Sequence, residues 1–265
     1  MLKRYPPNPT VAFSHGKPYF SSQLCIHLKE YFVERNRKKN RLTVSVIIPT
    51  LNEENTLPLL LTRLKQMDST LEIIVVDALS SDETAEIAAQ EATVIQSAPG
   101  RGLQMNAGAE LAGGEILWFL HADTLPHPGS LAAMKKTLRT DSIAGGGFEY
   151  SLNHPAFRFR VVEFLSNRKN KLLGGLFGDM GIFVRHNIFF GMDGYRALPL
   201  MEDMDFSRRL KKRGDIVILP QRIQTSARRW QEEGFIYCSV RSWLLQSAWK
   251  MGADPAWLSR WYRFR

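Results

Sequence analysis

Through the first half of the chain, short β-branched runs alternate with segments of helical periodicity. Val44-Ser-Val-Ile-Ile48 is halted by Pro49, and Leu57, Leu60, Leu61 and Leu64 then recur at i, i+3, i+4 and i+7, one face of a helix. Asn52 offers a side-chain cap before that helix, and Pro58 falls in its first turn, where a missing N–H is tolerated. The rhythm returns with Ile73-Ile-Val-Val76, which ends at Asp77 and leads through Ala78-Leu-Ser-Ser81 to an Ala-rich helix ending near Ala92. A third short strand covers 93–95, Gly100-Arg101-Gly102 opens a small-residue helix over 104–112, and 116–120 is a fourth apolar run. Strands and helices in this order predict a mostly parallel α/β sheet covered on both faces, with ligand-facing loops on one edge.

Beyond about residue 140 the pattern changes. Residues 144–150 and 181–184 are strand-like, and between them lie the helical set Phe157, Val161, Phe164 and Leu165 and a glycine-containing loop, 172–179. A helix is predicted over 202–212, a strand over 215–219, and a last helix over 237–251 with Val240, Trp243, Leu244, Ser247, Ala248 and Met251 on one side. Residues 1–41 read as an irregular, Pro-containing extension with one short helix around 24–33. The expected organisation is a basic extension over 1–41, a main domain over 42–230 and a basic, aromatic helical tail over 231–265.

Charge sharpens that division. Residues 1–41 carry nine Lys/Arg against two acids, 42–205 thirteen against twenty, and 206–265 thirteen against four. An acidic body with basic ends does not match a nucleic-acid module, which spreads cations and aromatics over its recognition face. Clusters such as Arg35-Asn36-Arg37-Lys38-Lys39-Asn40-Arg41 are read either as solvated tails or as segments drawn to anionic lipid head groups. The terminal aromatics Trp243, Trp249, Trp257, Trp261 and Tyr262 are read either as core packing or as an interfacial surface. Cys25 and Cys238 stand in no metal or redox spacing, which points to a reducing compartment without disulfides. The early Pro residues break any signal-peptide core and no uncharged run is long enough to span a bilayer. A cytoplasmic protein, with peripheral contact at the inner face of the cell membrane, is therefore expected.

Acidic residues carry the candidate chemistry. Asp77 and Asp123 both follow apolar strands, where open α/β sheets bind ligands, and Asp77 can accept from a nucleobase or ribose. Asp82 reads first as a helix cap. Asp123 is the metal candidate, because Mg²⁺ or Mn²⁺ takes one or two protein carboxylates and fills its shell with diphosphate oxygens and water. His121, two residues earlier on the same side of an extended segment, is read as a structural residue or a second ligand. In Glu202-Asp203-Met204-Asp205 the helix dipole explains some of the acids as N-terminal residues, and Asp203 is the candidate base that takes a proton from an acceptor hydroxyl. Arg101, Arg228 and Arg229, the last two beside Trp230, are cations suited to phosphate. The Gly174-Gly175…Gly178 loop matches neither a Walker nor a dinucleotide fingerprint.

Taken together, Val-Ser-Val-Ile-Ile-Pro-Thr-Leu-Asn-Glu-Glu54, Ile-Ile-Val-Val-Asp77 with Ser81-Asp82-Glu-Thr84, Leu-His-Ala-Asp123-Thr, Met-Glu-Asp203 and Arg228-Arg229-Trp230 resemble the family 2 glycosyltransferases with the GT-A fold. The segment from Gly100 to Ala109 resembles a bacterial, stand-alone branch that carries a His-Ala-Asp metal triplet. The wider family commonly has Asp where this chain has His121. The resemblance implies a nucleotide-diphosphate-sugar donor, UDP- or GDP-linked, an acceptor the residues do not identify, and a divalent cation, Mn²⁺ or Mg²⁺. It implies that Pro49, Thr50, Asn52 and Glu53 lie at the nucleotide and that Asp77 contacts its base. Arg101 would approach the donor, Asp123 with His121 would hold the cation, and Asp203, next to Glu202, would be the base of an inverting displacement. It further groups Gln104, Asn106, Ala122, Asp179, Arg228, Arg229 and Trp230 with donor binding. Two rivals stand beside it. A sugar-phosphate nucleotidyltransferase would start with a Gly-rich, cationic loop that Pro49-Thr-Leu-Asn-Glu53 lacks, and a non-catalytic nucleotide-sugar sensor would not need Asp203.

Overall fold

The computed structural model describes residues 42–262, together with strands β1 (Phe13–Ser14) and β2 (Lys17–Pro18), which pair antiparallel. The helix expected around 24–33 lies outside the described residues. The chain divides into Met1–Leu42 and Thr43–Arg265, and the elements that follow belong to the second unit.

β3 (Val44–Thr50), β4 (Glu72–Asp77), β5 (Thr93–Gln96) and β6 (Ile116–Phe119) pair in parallel in the order β5-β4-β3-β6. All seven residues of β3 are buried, as a Val/Ile-rich strand covered on both faces must be. Helices α1 (Leu57–Met67), α2 (Thr84–Ala89) and α3 (Arg101–Leu111) connect them. α1 turns Leu57, Leu60, Leu61 and Leu64 inward, and each buried side chain of this size stabilises by about 1.5–3 kcal/mol. The parallel half and its crossovers follow the predicted periodicities.

The sheet continues in mixed sense. After α4 (Ser130–Thr137), β8 (Ile143–Leu152) pairs antiparallel with β9 (Phe183–Arg185), which is antiparallel to β6. β10 runs from Asp215 to Thr225, past the expected 215–219, and is parallel to β8. The short β7 (Thr124–Pro126), which the sequence did not suggest, pairs antiparallel with the end of β10. Gly145-Gly146-Gly147 makes this half fit: a Cβ on Gly146 would lie 2.2 Å from the Val217 carbonyl oxygen and 2.8 Å from the Phe183 ring.

Helix α5 (Phe157–Leu173) forms where predicted but presents the opposite face. Phe159, Glu163, Asn167 and Asn170 point inward, while Phe157 is 79% and Phe164 60% exposed. The reason lies in β8, since β9 pairs only with Gly145 and Gly146 and leaves the later residues of β8 open on that side. Asn167 donates to the Tyr150 carbonyl at 2.9 Å and accepts its N–H at 3.2 Å, and Glu163 accepts the Leu152 N–H at 2.5 Å. Polar side chains thus satisfy a strand edge that would otherwise be buried unpaired. After α6 (His186–Phe190), α7 (Glu202–Leu210) and α8 (Arg228–Glu233), α9 (Phe235–Lys250) repeats the reversal. It buries Cys238 and Leu245 and leaves Val240, Trp243 and Leu244 outside, so core packing does not account for that stripe. α10 (Pro255–Ser259) follows, and Leu245 and Leu258 pack with Leu200, Met201 and Met204 at the start of α7. Among the described residues no helix is long and apolar enough to cross a membrane.

Candidate active site

The carboxyl ends of β3, β4 and β6 form one edge, with β3 between the other two. Asp77 ends β4 in register with Thr50, whose Oγ1 donates to Asp77 Oδ1 at 3.1 Å, while the Ser80 N–H donates to Oδ2 at 2.8 Å. Pro49 precedes Thr50 on the same edge. Asn52 sits at φ 54°, a left-handed conformation that Asn tolerates, donates its N–H to Ser80 Oγ and accepts the Ser81 N–H, both at 2.9 Å. Next to it the Glu53 N–H donates to Thr84 Oγ1 at 2.8 Å. Asp82 accepts the Thr84 N–H at 3.1 Å in a turn just before α2, where Glu83 rather than Asp82 is the capping residue, and also accepts the Glu54 N–H at 3.3 Å. The two loops after β3 and β4 are therefore fastened to each other. Gln104 completes the clasp from α3, donating to the carbonyls of Thr50 at 2.9 Å and Val76 at 2.8 Å.

A carboxylate cluster gathers beside this rim. His121, Ala122 and Asp123 follow β6, Asp179 lies in the 3₁₀ turn Gly178–Met180, and Glu202 and Asp203 open α7 after Met201, held at φ 65°. Asp203 accepts the Gly178 N–H at 2.8 Å and the Met204 N–H at 2.7 Å. A Cβ on Gly178 would fall 2.7 Å from His121 Nε2 and 3.7 Å from Asp203 Oδ2, so only glycine lets the imidazole and this carboxylate share the turn. Burial pushes the Asp179 carboxyl up to about 6, the charge on Asp203 and then Asp123 adds to that, and Arg229 opposes it. Glu202 is pushed up to about 7 by burial and by Asp203, with Arg101 opposing. Burial raises Asp203 as well, while its two N–H partners and Arg101 pull it back toward the carboxylate. His121 is driven down to about 3 by burial and then by Arg101 and Arg229, which keeps its imidazole neutral. Burial raises Glu53 and the charge on Asp123 adds to it, while the Thr56 hydroxyl and Arg228, 3.6 Å away, lower it.

Asp179 thus lies within reach of the charges on Asp203, Asp123 and Arg229, Glu202 within reach of Asp203 and Arg101, and Glu53 within reach of Asp123 and Arg228. Several side chains nearby are held by contacts within the fold. Asn106 makes two 2.8 Å bonds to the backbone of Tyr195, and Trp230 Nε1 donates to Ser239 Oγ at 3.3 Å. Asp205 is buried against Arg209 at 2.7 Å, with Arg196 and Arg208 farther out. Arg229 lies over the Tyr262 ring at 5.1 Å. Sequence reasoning overlooked Gly178 and Ser80, the partners of Asp203 and Asp77. Gly178 had a signal in the 172–179 glycine loop, but no motif explains it, because its role is a backbone donor and a missing Cβ.

A half-parallel nucleotide-binding sheet extended by a mixed half, with carboxylates at the junction, is the GT-A fold. The chain belongs to the glycosyl transferase family 2, whose family model matches residues 45–196. It is 30% identical over 155 residues to the undecaprenyl-phosphate 4-deoxy-4-formamido-L-arabinose transferase of Photorhabdus laumondii, covering 54% of this chain and 48% of that protein. It is 34% identical over 107 residues to the 4,4'-diaponeurosporenoate glycosyltransferase of Staphylococcus haemolyticus, covering 36% and 28%. The chain thus spans about half the length of the first relative and less of the second. Among solved structures, S. aureus TarS 1-349 in complex with UDP superposes with a TM-score of 0.56 at 19% identity, over 70% of this chain and 61% of that one. Mannosyltransferase PcManGT from Pyrobaculum calidifontis in complex with GDP-Man and Mn²⁺ gives 0.54 at 18%, over 75% and 64%. At such identities the likeness is one of fold.

Proposed function

We propose that this glycosyltransferase moves a sugar from a nucleotide diphosphate to a hydroxyl of a lipid-linked or amphipathic acceptor by an inverting, metal-assisted displacement, working at the inner face of the cell membrane. The observation that carries the reading is the meeting of Asp123, Asp179 and Asp203 with Arg229 beside the nucleotide rim. Asp203 takes the proton from the acceptor oxygen as that oxygen bonds to the anomeric carbon, and the bond from this carbon to the diphosphate breaks. The two N–H bonds to Asp203 favour the deprotonated form that a base requires and fix its direction. Arg101, Arg228 and Arg229 neutralise the departing diphosphate. Pro49, Thr50, Asn52 and Glu53 form the nucleotide wall, shaped from beneath by Asp77.

A divalent cation fits the residues present. No three His, Cys, Asp or Glu side chains among the described residues form a protein cage, but a cation shared with diphosphate needs only one or two carboxylates. Mutual repulsion of Asp123, Asp179 and Asp203 is the charge excess such an ion relieves. Asp123, with neutral His121 beside it, would hold the ion, which stabilises the leaving diphosphate when bound. The names of the relatives, one for undecaprenyl-phosphate and one for diaponeurosporenoate, support the acceptor class. UDP in one structural neighbour and GDP-Man with Mn²⁺ in another support the donor and the metal.

The test is turnover of UDP- and GDP-sugars with Mn²⁺. Asp203→Asn is expected to lower the rate by about 10²–10⁴-fold with nucleotide-sugar binding retained, as loss of a general base does. Unchanged turnover in that variant removes Asp203 from the mechanism.

A further inference from the structure

The outward stripes of α5 and α9 share one spacing. Phe157, Val161, Phe164, Leu165 and Leu172 fall at i, i+4, i+7, i+8 and i+15, and so do Ile236, Val240, Trp243, Leu244 and Met251, counted through the residue that caps α9. All ten side chains are exposed, up to 80% for Leu172 and 82% for Met251. The two helices lie side by side and parallel. Phe159 meets Phe235 near their N-termini, with ring centroids 5.1 Å apart, and Lys169 donates to Gln246 at 3.2 Å ten residues along. α5 touches α9 through the flank bearing Arg158 and Lys169, and α9 answers through the flank bearing Phe235 and Gln246. With about 100° per residue, both stripes then fall on the same outer side. Trp257 and Trp261, tilted against each other with ring centroids 5.9 Å apart and both exposed, add aromatic surface C-terminally.

We infer that this twin-helix face is a docking surface for an anionic lipid bilayer, which it enters in the interfacial plane. Soluble monomers rarely leave a contiguous apolar patch of this kind in water. The surrounding charge selects the occupant: α5 carries five cations against one acid, the buried Glu163, and residues 235–262 carry three against one. Arg168 is exposed within the α5 stripe itself and lies over the Phe164 ring at 5.6 Å. A guanidinium there suits a phosphate head group reached by snorkelling, whereas a second copy of the chain would place like charges against each other. Exposed Lys250 and Arg260, with the Trp residues, supply the cation and aromatic rim of an interfacial helix. The inward sides of these helices reach toward the carboxylates, since buried Asn170 donates to Met180 Sδ at 3.4 Å, next to Asp179, and Leu245 packs on the Met residues flanking Asp203. Docking would therefore set the acceptor side of the site at the lipid surface. It deepens the lipid-acceptor reading above and rests on that reading for its purpose.

The test is co-sedimentation of the full chain with phosphatidylcholine–phosphatidylglycerol vesicles and with phosphatidylcholine alone, at low and raised salt. The parent is expected to bind the anionic vesicles, less so as salt rises. Phe164→Glu and Trp243→Glu are each expected to weaken binding about tenfold or more, with thermal melting unchanged. Neutralising Arg35, Arg37, Lys38, Lys39 and Arg41 is expected to weaken it less than either. The inference is overturned if the two stripe variants sediment like the parent, if only the basic-run variant loses binding, or if the parent ignores anionic vesicles and light scattering shows a dimer that Trp243→Glu dissociates. Turnover of nucleotide-sugar in vesicle-free solution is read separately, so failure of docking and failure of the transfer chemistry are distinguishable.

Discussion

Helices α1 and α5 both carry apolar residues at helical spacing, yet they bury opposite faces. α1 drives four leucines into the sheet, while α5 turns Glu163, Asn167 and Asn170 inward and keeps its phenylalanine and leucine stripe outside. The contrast extends to the two halves of the sheet. Around β3 to β6 the interior is largely apolar, and polar side chains mostly fasten loops. Asp77 is the buried carboxylate of that half, at its rim, whereas from β8 onward several enter the interior, with Glu163 at 4%, Glu202 at 8% and Asp205 at 2% exposure. Periodicity reports that a helix has two unlike faces, and what surrounds the helix decides which one turns inward.

The sharpest way to break this comparison is a deletion in the conventional half. Leu64 is fully buried in α1, and Leu64→Ala removes its transfer free energy and leaves a cavity. The expected loss is about 2–5 kcal/mol, read as a lower urea midpoint at constant slope. A near-neutral result means that α1 is not packed as its face implies.

Legibility from sequence followed the same divide. In the parallel half, Val44-Ser-Val-Ile-Ile48 and Ile73-Ile-Val-Val76 are bounded by Pro49 and Asp77, so local chemistry alone marks strands and loops. Asp123 and Asp203 were visible because acids at strand ends and helix starts are few. β7 was not visible, because three residues carry no periodicity and its pairing with Ile223–Thr225 is made about a hundred positions away. The outward face of α5 was hidden for another reason: it depends on the open edge of β8, a tertiary fact absent from residues 157–173. The same holds for Gly178, whose N–H matters only once Asp203 stands beside it.

Buried acids at the junction give the second half a marked pH signature. Glu202 is raised from 4.5 to about 7, so folding favours its protonated form. Its contribution to stability is complete below pH 4.5 and is lost as pH rises through about 7. By the linkage relation the loss between those limits is about 3 kcal/mol, shared with its neighbour Asp203. Denaturation without divalent cation or nucleotide is expected to show the parent losing stability across that window relative to Glu202→Gln, which is expected to be the more stable protein at pH 8; the comparison cancels the opposite slope of His121, whose buried neutral form gains stability as pH rises toward 6.5. Equal slopes in the two proteins would show that the acid is not desolvated.

Within α5 itself, the buried polar face should matter more than the apolar one. Glu163 accepts the Leu152 N–H at 2.5 Å and Arg160 at 2.8 Å. Glu163→Ala leaves that buried N–H unpaired, at a cost of about 1–3 kcal/mol by urea denaturation, with Glu163→Gln retaining part of it. Equal stability of the alanine variant and the parent would mean that β8 does not need the helix to complete its edge.

The smallest expected effect carries the comparison furthest. Leu165 in α5 and Leu64 in α1 are the same residue type, each at a helical position that its neighbours mark as apolar. Leu165 is 60% exposed, so Leu165→Ala removes few contacts and leaves no cavity, and alanine is at least as good a helix former as leucine. The change in unfolding free energy in water is expected to stay within about 0.5 kcal/mol, against several for Leu64→Ala. A loss of about 2 kcal/mol or more at Leu165 would require that side chain to be covered in the free protein, which contradicts an outward stripe. A neutral result, paired with a costly Glu163→Ala two residues away on the other face, would place the fold's anchorage of α5 in its polar face and leave the apolar face available to something other than the core.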